Sequence, residues 1–220
     1  MRRTYARFVS YVANPATQDL RLYYQDEHHR RFGSLGQLRA WLGQRGQTLQ
    51  FAMNGGMYRP GGAPQGLYIE GGRQVAPLDT TRGTGNFYLP PNGVLYLTAR
   101  GQAGICPTAE FATRPAAVAY ATQSGPMLLV RGALNPAFTK GSANVQVRNG
   151  VGLLPGNRLV FVYSTEPVNF FDFATEFRRL GCRTALYLDG YVSRLYLPAQ
   201  GWQQTDGDFG VIIGVAAPAR

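Results

Sequence analysis

Apolar and polar residues alternate along most of this chain, and the pattern predicts a strand-rich protein. Short apolar runs are separated by glycine- and proline-containing turns, as in proteins built from strands and hairpins. The runs around Val9 and Leu22 flank a turn-forming segment at residues 14–18, which predicts an opening hairpin. Asn149-Gly150 is a typical turn dipeptide and predicts another hairpin in the second half of the chain.

Two segments change to helical spacing. The first follows Ser34, a residue type that favours helix N-termini, and has one apolar face: Leu35, Leu38, Trp41 and Leu42. The second follows Asn169, ends before Gly181 and also has one apolar face: Phe170, Phe173, Ala174 and Phe177. These spacings predict two amphipathic helices.

The second helix lies between two apolar strands, residues 158–164 and 184–189. A strand–helix–strand unit with short connections predicts parallel strands joined by a crossover. The strand ends, Ser164 and Asp189, should therefore lie at one edge of the sheet, where ligands commonly bind. Asp189 is followed by Gly190. An ordinary Asp-Gly turn is one interpretation, and its position at this edge favours the other, an active-site carboxylate.

Composition indicates a single folded domain. The chain has 220 residues, of which 45% are hydrophobic and 15% charged, enough for one substantial core. We expect one domain over residues 1–220, with a hairpin and helix in 1–50 and the main core in 51–220. The predicted fold class is α+β (mixed α/β): a central twisted mixed β-sheet, many hairpins and a few helices, including the C-terminal crossover.

The charge of the chain favours an anionic partner. Lysine and arginine total 22 against 12 acidic residues, a net charge of +10 that is almost entirely arginine. Arginine matches the geometry of phosphate and carboxylate groups; a charge that serves only solubility is the alternative. Because the arginines are scattered along the chain, nucleic-acid binding is disfavoured.

The sequence carries no metal-site signature. His28 and His29 are adjacent and would point to opposite faces of a strand, and Cys106 and Cys182 lack zinc spacing. We predict no cofactor, while a divalent-cation requirement, a disulfide between the two cysteines and the oligomeric state stay open. The sequence contains no window of about 18 apolar residues, so no membrane-spanning helix is predicted. Cytoplasmic and, after removal of a leader, secreted or periplasmic locations also stay open.

Three further segments carry residues suited to binding. Asn54 ends a predicted strand and precedes Gly55 and Gly56, which let backbone amides approach a ligand; a plain strand-to-loop turn is the alternative. A polar segment before a proline offers further ligand contacts: Gln123, Ser124 and Gly125. A serine hydrolase is disfavoured, because neither a GxSxG elbow nor a well-placed histidine is present. Arg148 could clamp a phosphate with two parallel hydrogen bonds. A solvent-facing arginine is the alternative interpretation.

The order of motifs from about Phe51 onward resembles the phosphodiester glycosidase family, bacterial relatives of the animal lysosomal uncovering enzyme: MNGGMY, GLYIEGG, NFY, QSGPMLL, VRNGVG, FVYS, FFDFA and ALYLDGYVSRLY. The resemblance implies hydrolysis of a glycosyl phosphodiester and four loops that share one pocket: Asn54, Gly55 and Gly56; Gln123, Ser124 and Gly125; Arg148; and Asp189, Gly190 and Ser193. One departure is that Tyr191 and Val192 separate Gly190 from Ser193, where the uncovering-enzyme branch resembles Leu-Asp-Gly-Gly followed by serine. The sugar and the aglycone therefore stay open.

The residues suit this chemistry. A carboxylate stabilises or attacks an anomeric carbon that becomes positive, and an arginine with backbone amides stabilises the departing phosphate. We expect Asp189 as nucleophile or base, Arg148 as phosphate clamp, and Asn54, Gln123 and Ser193 as orienting groups. Ser164, at the sheet edge, is a further substrate-binding candidate. The expected partner is a small-molecule or polysaccharide glycosyl phosphodiester. A non-catalytic binder of an anionic saccharide is the alternative, and a basic nucleic-acid-binding domain is less favoured.

Overall fold

Three antiparallel β-sheets and three α-helices make up the structure, a computed structural model that describes residues 6–111, 113, 117–189 and 192–219. The helices are α1 (Leu35–Gly43), the single-turn α2 (Thr108–Phe111) and α3 (Phe170–Arg179). Short 3₁₀ helices cover Asn86–Tyr88 and Pro198–Gln200. The α+β fold class is confirmed, and strands predominate.

Each sheet is described by the spatial order of its strands, in which neighbours are hydrogen-bonded. The first sheet contains β1 (Phe8–Ala13), β12 (Arg158–Ser164), β11 (Asn149–Leu154), β13 (Thr184–Asp189), β9 (Met127–Val130) and β10 (Ala133–Leu134). The second contains β15 (Trp202–Gln203), β14 (Leu195–Leu197), β3 (Gln47–Asn54), β16 (Ile212–Pro218) and β2 (Asp19–Tyr23). The third contains β5 (Arg73–Ala76), β4 (Tyr68–Glu70), β8 (Val118–Ser124), β6 (Gly93–Thr98) and β7 (Ala103–Pro107).

The crossover joins two strands that are parallel but not adjacent. Both β12 and β13 pair antiparallel with β11, which lies between them, so they run in the same direction and their carboxyl ends share one edge. The relation between Ser164 and Asp189 is therefore as predicted. The predicted mixed sheet is not found, since every described strand pairing in the first sheet is antiparallel. The reason is that β11 lies between the two parallel strands and pairs with both.

The predicted N-terminal hairpin is wrong. β1 pairs with β12 in the first sheet, and β2 pairs with β16 in the second. Val9 and Leu22 still face the same apolar interior, because alternation determines which side chains are buried. It does not determine which strand edge supplies the hydrogen bonds, and here two long-range edges replace the local one.

The apolar layers explain the helices. Side chains from all three sheets, among them Phe51, Phe161 and Leu95, form one core cluster. α3 covers the opposite face of the first sheet, and α1 the opposite face of the second. The first sheet is therefore covered on both faces.

Both predicted helix caps are present: the Ser34 side chain accepts from the backbone N–H of Gln37, and the Asn169 side chain accepts from the backbone N–H of the third residue of α3.

Candidate active site

Three strand ends meet at Asp189. This residue ends β13, and Asn149 at the start of β11 lies opposite it in the first sheet. Asn54 ends β3 in the second sheet. The pairing of β11 with β13 shifts register between Asn149 and Gly150, and such a bulge re-aims the side chains beside it. The site therefore lies where the first and second sheets come together.

Side-chain amides fix the carboxylate in place. Asn54 Nδ2 donates to Asp189 Oδ2 at 3.0 Å, and the Asp189 backbone N–H donates to Asn149 Oδ1 at 2.8 Å. Asn149 Nδ2 donates to both the backbone oxygen and Oδ1 of Asn54, each at 2.9 Å. The Arg194 backbone N–H also donates to Asn54 Oδ1, at 3.0 Å. Asn54 and Asn149 are fully buried and Asp189 is only 5% exposed, so these bonds form in a largely water-free setting.

Asn149 is a site residue that sequence reasoning misses. The Asn-Gly pair predicts a hairpin turn, whereas Asn149 and Gly150 both lie within β11. The amide nitrogen and oxygen of Asn149 are bonded to Asn54 and Asp189. Its position directly after Arg148, within a motif of the family resemblance, is the sequence signal that could have drawn attention to it.

Gly55 and Gly56 are required for packing. A Cβ on Gly55 would lie 2.4 Å from Ile213 Cγ1, and one on Gly56 would lie 2.6 Å from Thr122 Oγ1. The Gly55 backbone N–H donates to the oxygen of Val211 at 2.8 Å. The Asn-Gly-Gly segment is thus pressed against β16 and β8, which holds Asn54 in position; contact of these glycines with a substrate stays a prediction.

Gln123 anchors a neighbouring loop. Its Oε1 accepts from the backbone N–H groups of Leu67 and Asp79, and its Nε2 donates to the oxygen of Asp79 and to Thr108 Oγ1. These four bonds fill the capacity of the amide, so the geometry favours a structural role over substrate orientation. Ser124 Oγ donates to the oxygen of Leu188, next to Asp189, at 2.8 Å.

Gly125 packs tightly and continues this segment. A Cβ at this position would lie 2.5 Å from the backbone oxygen of Phe87, so the residue has room only for hydrogen. Together with Ser124, it brings the end of β8 against the strand that carries Asp189. The Gln-Ser-Gly segment and the strand that carries Asp189 therefore lie together, and they are joined by a hydrogen bond within the protein.

Arg148 does not hold an open position facing Asp189. The residue has no exposed surface, and its guanidinium lies 3.7 Å from the Phe170 ring centroid. Nε donates to the oxygen of Val168 at 2.7 Å, Nη2 to Asn144 at 2.9 and 3.1 Å, and Nη1 to the Tyr187 hydroxyl at 3.3 Å. A phosphate clamp requires N–H groups directed at the ligand, and here every guanidinium nitrogen donates to a protein oxygen. The enclosed guanidinium is therefore in neither of the two predicted settings, a phosphate clamp or a solvent-facing side chain.

Burial changes the ionisation of this cluster. It lowers the pKa of Arg148 from its ordinary value, although the neighbouring Tyr187 opposes the change. It raises the pKa of Tyr187 strongly, and the guanidinium offsets only part of that rise. Tyr187 lies two residues before Asp189 and feels the charge of both groups. The tyrosine therefore links the buried cation to the strand that carries the acid.

The remaining predicted residues are close to Asp189 but are bonded to the protein. Ser164 Oγ accepts from the backbone N–H of Arg148 at 2.8 Å. Ser193 Oγ donates to the oxygens of Val147 and Asp189, at 3.1 and 2.9 Å. Gly190 lies outside the described residues. The structure thus brings the predicted strand ends together, and several of the serines and amides expected to touch substrate brace them.

Metal and membrane features are absent from the described ranges. Among residues 6–111, 113, 117–189 and 192–219, no group of three or more His, Cys, Asp or Glu side chains could hold a metal ion. No helix in the same ranges is long and apolar enough to cross a bilayer. Cys106 and Cys182 are both buried thiols rather than a disulfide pair, and they belong to different core clusters.

Comparison with known proteins places this geometry in a family. The model of the NAGPA phosphodiester glycosidase family matches residues 47–209. The chain belongs to the phosphodiester glycosidase family. Membership in this family places the protein among glycosidase-type hydrolases.

Individual proteins are similar to this chain in sequence or in fold. The chain is 39% identical over 198 residues to the uncharacterized protein YigE of Escherichia coli K12, covering 89% of this chain and 77% of YigE. Its fold resembles the catalytic domain of zebrafish N-acetylglucosamine-1-phosphodiester alpha-N-acetylglucosaminidase, with a TM-score of 0.65 and 12% identity over 97% of this chain and 84% of that one. A protein of Burkholderia pseudomallei K96243 has a TM-score of 0.60 and 11% identity over 94% of this chain and 73% of that one. These structures support the fold.

Proposed function

We propose that the protein hydrolyses the glycosidic bond between a sugar and the phosphate of a glycosyl phosphodiester, with Asp189 as the essential carboxylate. Family membership supports the reaction class. The observation that carries the assignment of the residue is the bond from Asn54 Nδ2 to Asp189 Oδ2 at the junction of two sheets. A carboxylate aligned by buried amides requires no reorganisation when charge develops beside it.

The reaction breaks the bond between the anomeric carbon and the phosphate oxygen. The oxygen of water ends on the sugar as a hydroxyl, one proton is released, and the phosphate departs as a monoester with its oxygen atoms retained. Asp189 either attacks the anomeric carbon as nucleophile, forming a glycosyl ester that water then hydrolyses, or takes a proton from the water that attacks this carbon. The two forms differ in whether the sugar configuration is retained or inverted, which the product anomer reports.

The leaving group reduces the demand for acid catalysis. A phosphate oxygen departs as a weak base, so one carboxylate suffices where an alcohol leaving group requires a second carboxylic acid as proton donor. Asn54 and Asn149 act as positioning residues because they hold the carboxylate and its backbone. We assign Arg148 the same kind of role, through Tyr187 and β11, since its guanidinium is enclosed by protein.

A matched pair of acidic residues tests the proposal. Purified wild type, Asp189→Asn and Asp208→Asn are assayed on a set of sugar-1-phosphodiesters, with and without chelator. Asp208 is an exposed acid paired with Arg31 and serves as the control. We expect Asp189→Asn to reduce turnover by about 10²–10⁴-fold with an unchanged melting temperature, and Asp208→Asn to retain activity.

The position of the broken bond gives a second test. In water enriched in ¹⁸O, cleavage at the anomeric carbon puts the label on the sugar, and cleavage at phosphorus puts it on the phosphate. Label on the phosphate would identify a phosphodiesterase and contradict the proposal. Near-normal turnover by Asp189→Asn would remove this residue from the chemistry, and tight binding without turnover on every substrate would favour a saccharide-binding protein.

A further inference from the structure

A cavity of about 500 Å³ opens beside the loop that follows Asn54. This volume falls within the range of small-molecule sites. Its walls combine one arginine, one carboxylate and several hydroxyls with apolar side chains, and the polar members are Arg59, Asp79, Thr80, Thr81 and Tyr88. None of these residues belongs to the network around Asp189, and the proposed mechanism gives them no role.

The loop that carries Arg59 begins in the active site. Asn54, the last residue of β3, directly precedes the loop, and Arg59 lies five positions after Asn54, a span of at most about 18 Å along an extended chain. The Arg59 backbone N–H donates to the oxygen of Ala63 at 2.8 Å, and the Gln65 N–H donates to the oxygen of Met57 at 2.9 Å. These bonds close the loop on itself, so its tip is held at a defined position beside the cavity.

A second connection ties the cavity wall to the acid. The Gln123 side chain holds both the backbone N–H and the oxygen of Asp79. The next residue, Ser124, donates to the oxygen of Leu188, which precedes Asp189. The wall and the catalytic strand are therefore linked by hydrogen bonds over very few residues.

Arg59 is a cation with its side-chain donors available. The residue is exposed, and its guanidinium makes no hydrogen bond or ion pair with the described residues, unlike Arg31 and Arg194, which pair with carboxylates. The Asp79 carboxylate is occupied: Oδ1 accepts from the N–H and hydroxyl of Thr81, and Oδ2 accepts from the Tyr88 hydroxyl at 2.9 Å. The acid thus shapes the wall and also feels the positive charge of Arg59, while the guanidinium itself donates no hydrogen bond to a described residue.

A neighbouring cavity is also lined by an exposed arginine and polar side chains. It also measures about 500 Å³, shares Thr81 and Tyr88 with the first, and adds Arg82, Asn92 and Thr108. Arg82 is exposed as well. Two arginines therefore border adjoining spaces, and because the hydroxyls of Thr81 and Tyr88 already donate to Asp79, the guanidinium groups are the donors suited to a phosphate.

We propose that the cavity beside Arg59 binds the phosphate-bearing leaving group of the substrate, and that Arg59 is the residue that contacts the phosphate. This inference rests on the proposed glycosyl phosphodiester hydrolysis. It gives to Arg59 the role that the enclosed Arg148 does not fill. The leaving group is then an organic phosphate monoester, with Thr80, Thr81 and Tyr88 facing its organic part.

Binding of phenyl phosphate, measured by isothermal titration calorimetry, tests this without any turnover. We expect Asp189→Asn to bind it at least as tightly as wild type, because a neighbouring negative charge is removed, and Arg59→Ala to bind at least tenfold more weakly than wild type. Arg59→Lys, which keeps the charge but loses the bidentate fork, should fall between them. Arg158→Ala is the control, because Arg158 is also exposed but lies at the start of β12, the opposite end of that strand from Ser164.

The outcomes separate this proposal from the proposed reaction. Equal affinities of Arg59→Ala and wild type for phenyl phosphate would overturn the subsite. Equal losses of affinity in Arg59→Ala and Arg158→Ala would also overturn it, because they would report only the net charge of the protein. Absence of measurable phenyl phosphate binding by wild type would overturn it too. If Arg59→Ala alone loses affinity while no phosphodiester is hydrolysed, the subsite stands and the proposed reaction fails.

Discussion

Replacing Arg148 with methionine tests whether this guanidinium supports the structure or grips a substrate. The side chain donates to Val168, Asn144 and Tyr187 and lies against the Phe170 ring. Methionine retains a long apolar side chain and removes every one of these donors. We expect the variant to lose stability, because the buried acceptors are left without their partner.

The magnitude follows from the contacts. Hydrogen bonds to a charged group contribute about 1.5–3 kcal/mol each, and a desolvated cation–π contact contributes about 2 kcal/mol. The bonds to Val168 at 2.7 Å and Asn144 at 2.9 Å and the contact with Phe170 at 3.7 Å are well made. An uncharged side chain recovers several kcal/mol of desolvation. The net loss is about 2–4 kcal/mol, which lowers the melting temperature of a chain of this length by about 5–15 °C.

Thermal unfolding followed by circular dichroism measures the effect in wild type, Arg148→Met and Arg148→Lys. Lysine keeps the charge but cannot reach the same acceptors with a planar fork, so it should also be destabilised. The control, Arg158→Met, alters an exposed arginine and should shift the melting temperature by less than about 2 °C. If Arg148→Met melts with wild type while its KM for a glycosyl phosphodiester rises, the guanidinium grips substrate and the structural role is refuted.

Three further predictions concern the core and its ionisable groups. Burial raises the pKa of Glu70 to about 7 from an ordinary value near 4.5, so stability should fall as pH rises between these values; Glu70→Gln should lose that slope in urea midpoints, and equal slopes would contradict this. A Cβ on Gly152 would lie 2.5 Å from Cys182 Sγ and 2.7 Å from the Phe177 ring. Gly152→Ala should therefore cost about 1–3 kcal/mol, whereas Gly43→Ala, with open space around it, should not lower the urea midpoint. Burial raises the pKa of the Cys182 thiol to about 11, so at pH 8 it should react with a disulfide reagent only as the protein unfolds; rapid labelling of the folded protein would show that the thiol is accessible.

The sequence is most informative where structure is locally encoded. The apolar spacing and caps of α1 and α3 depend on residues three and four positions apart, so both helices can be predicted. The crossover then places Ser164 and Asp189 at one edge, because a helix between two strands constrains their directions. Position alone thus locates the acid at the centre of the candidate site.

Partners and side-chain directions are beyond local patterns. The strand partners of β1 and β2 depend on edges formed more than a hundred residues later. The sequence pattern suggests an open surface for Arg148, but its guanidinium is enclosed by the oxygens of Val168 and Asn144 and the ring of Phe170, contacts that come from other segments. Asn149 resembles a turn residue because Asn-Gly favours turns, and only the register of β11 reveals its contact with Asp189.

The amide network around Asp189 has a consequence for the timing of folding. Its bonds join residues 135, 95 and 40 positions apart, so the carboxylate gains its orientation only when distant segments have docked. A growing chain that has not yet added its last strands lacks this alignment. The carboxylate therefore acquires this alignment only in a chain in which β3, β11 and β13 have come together.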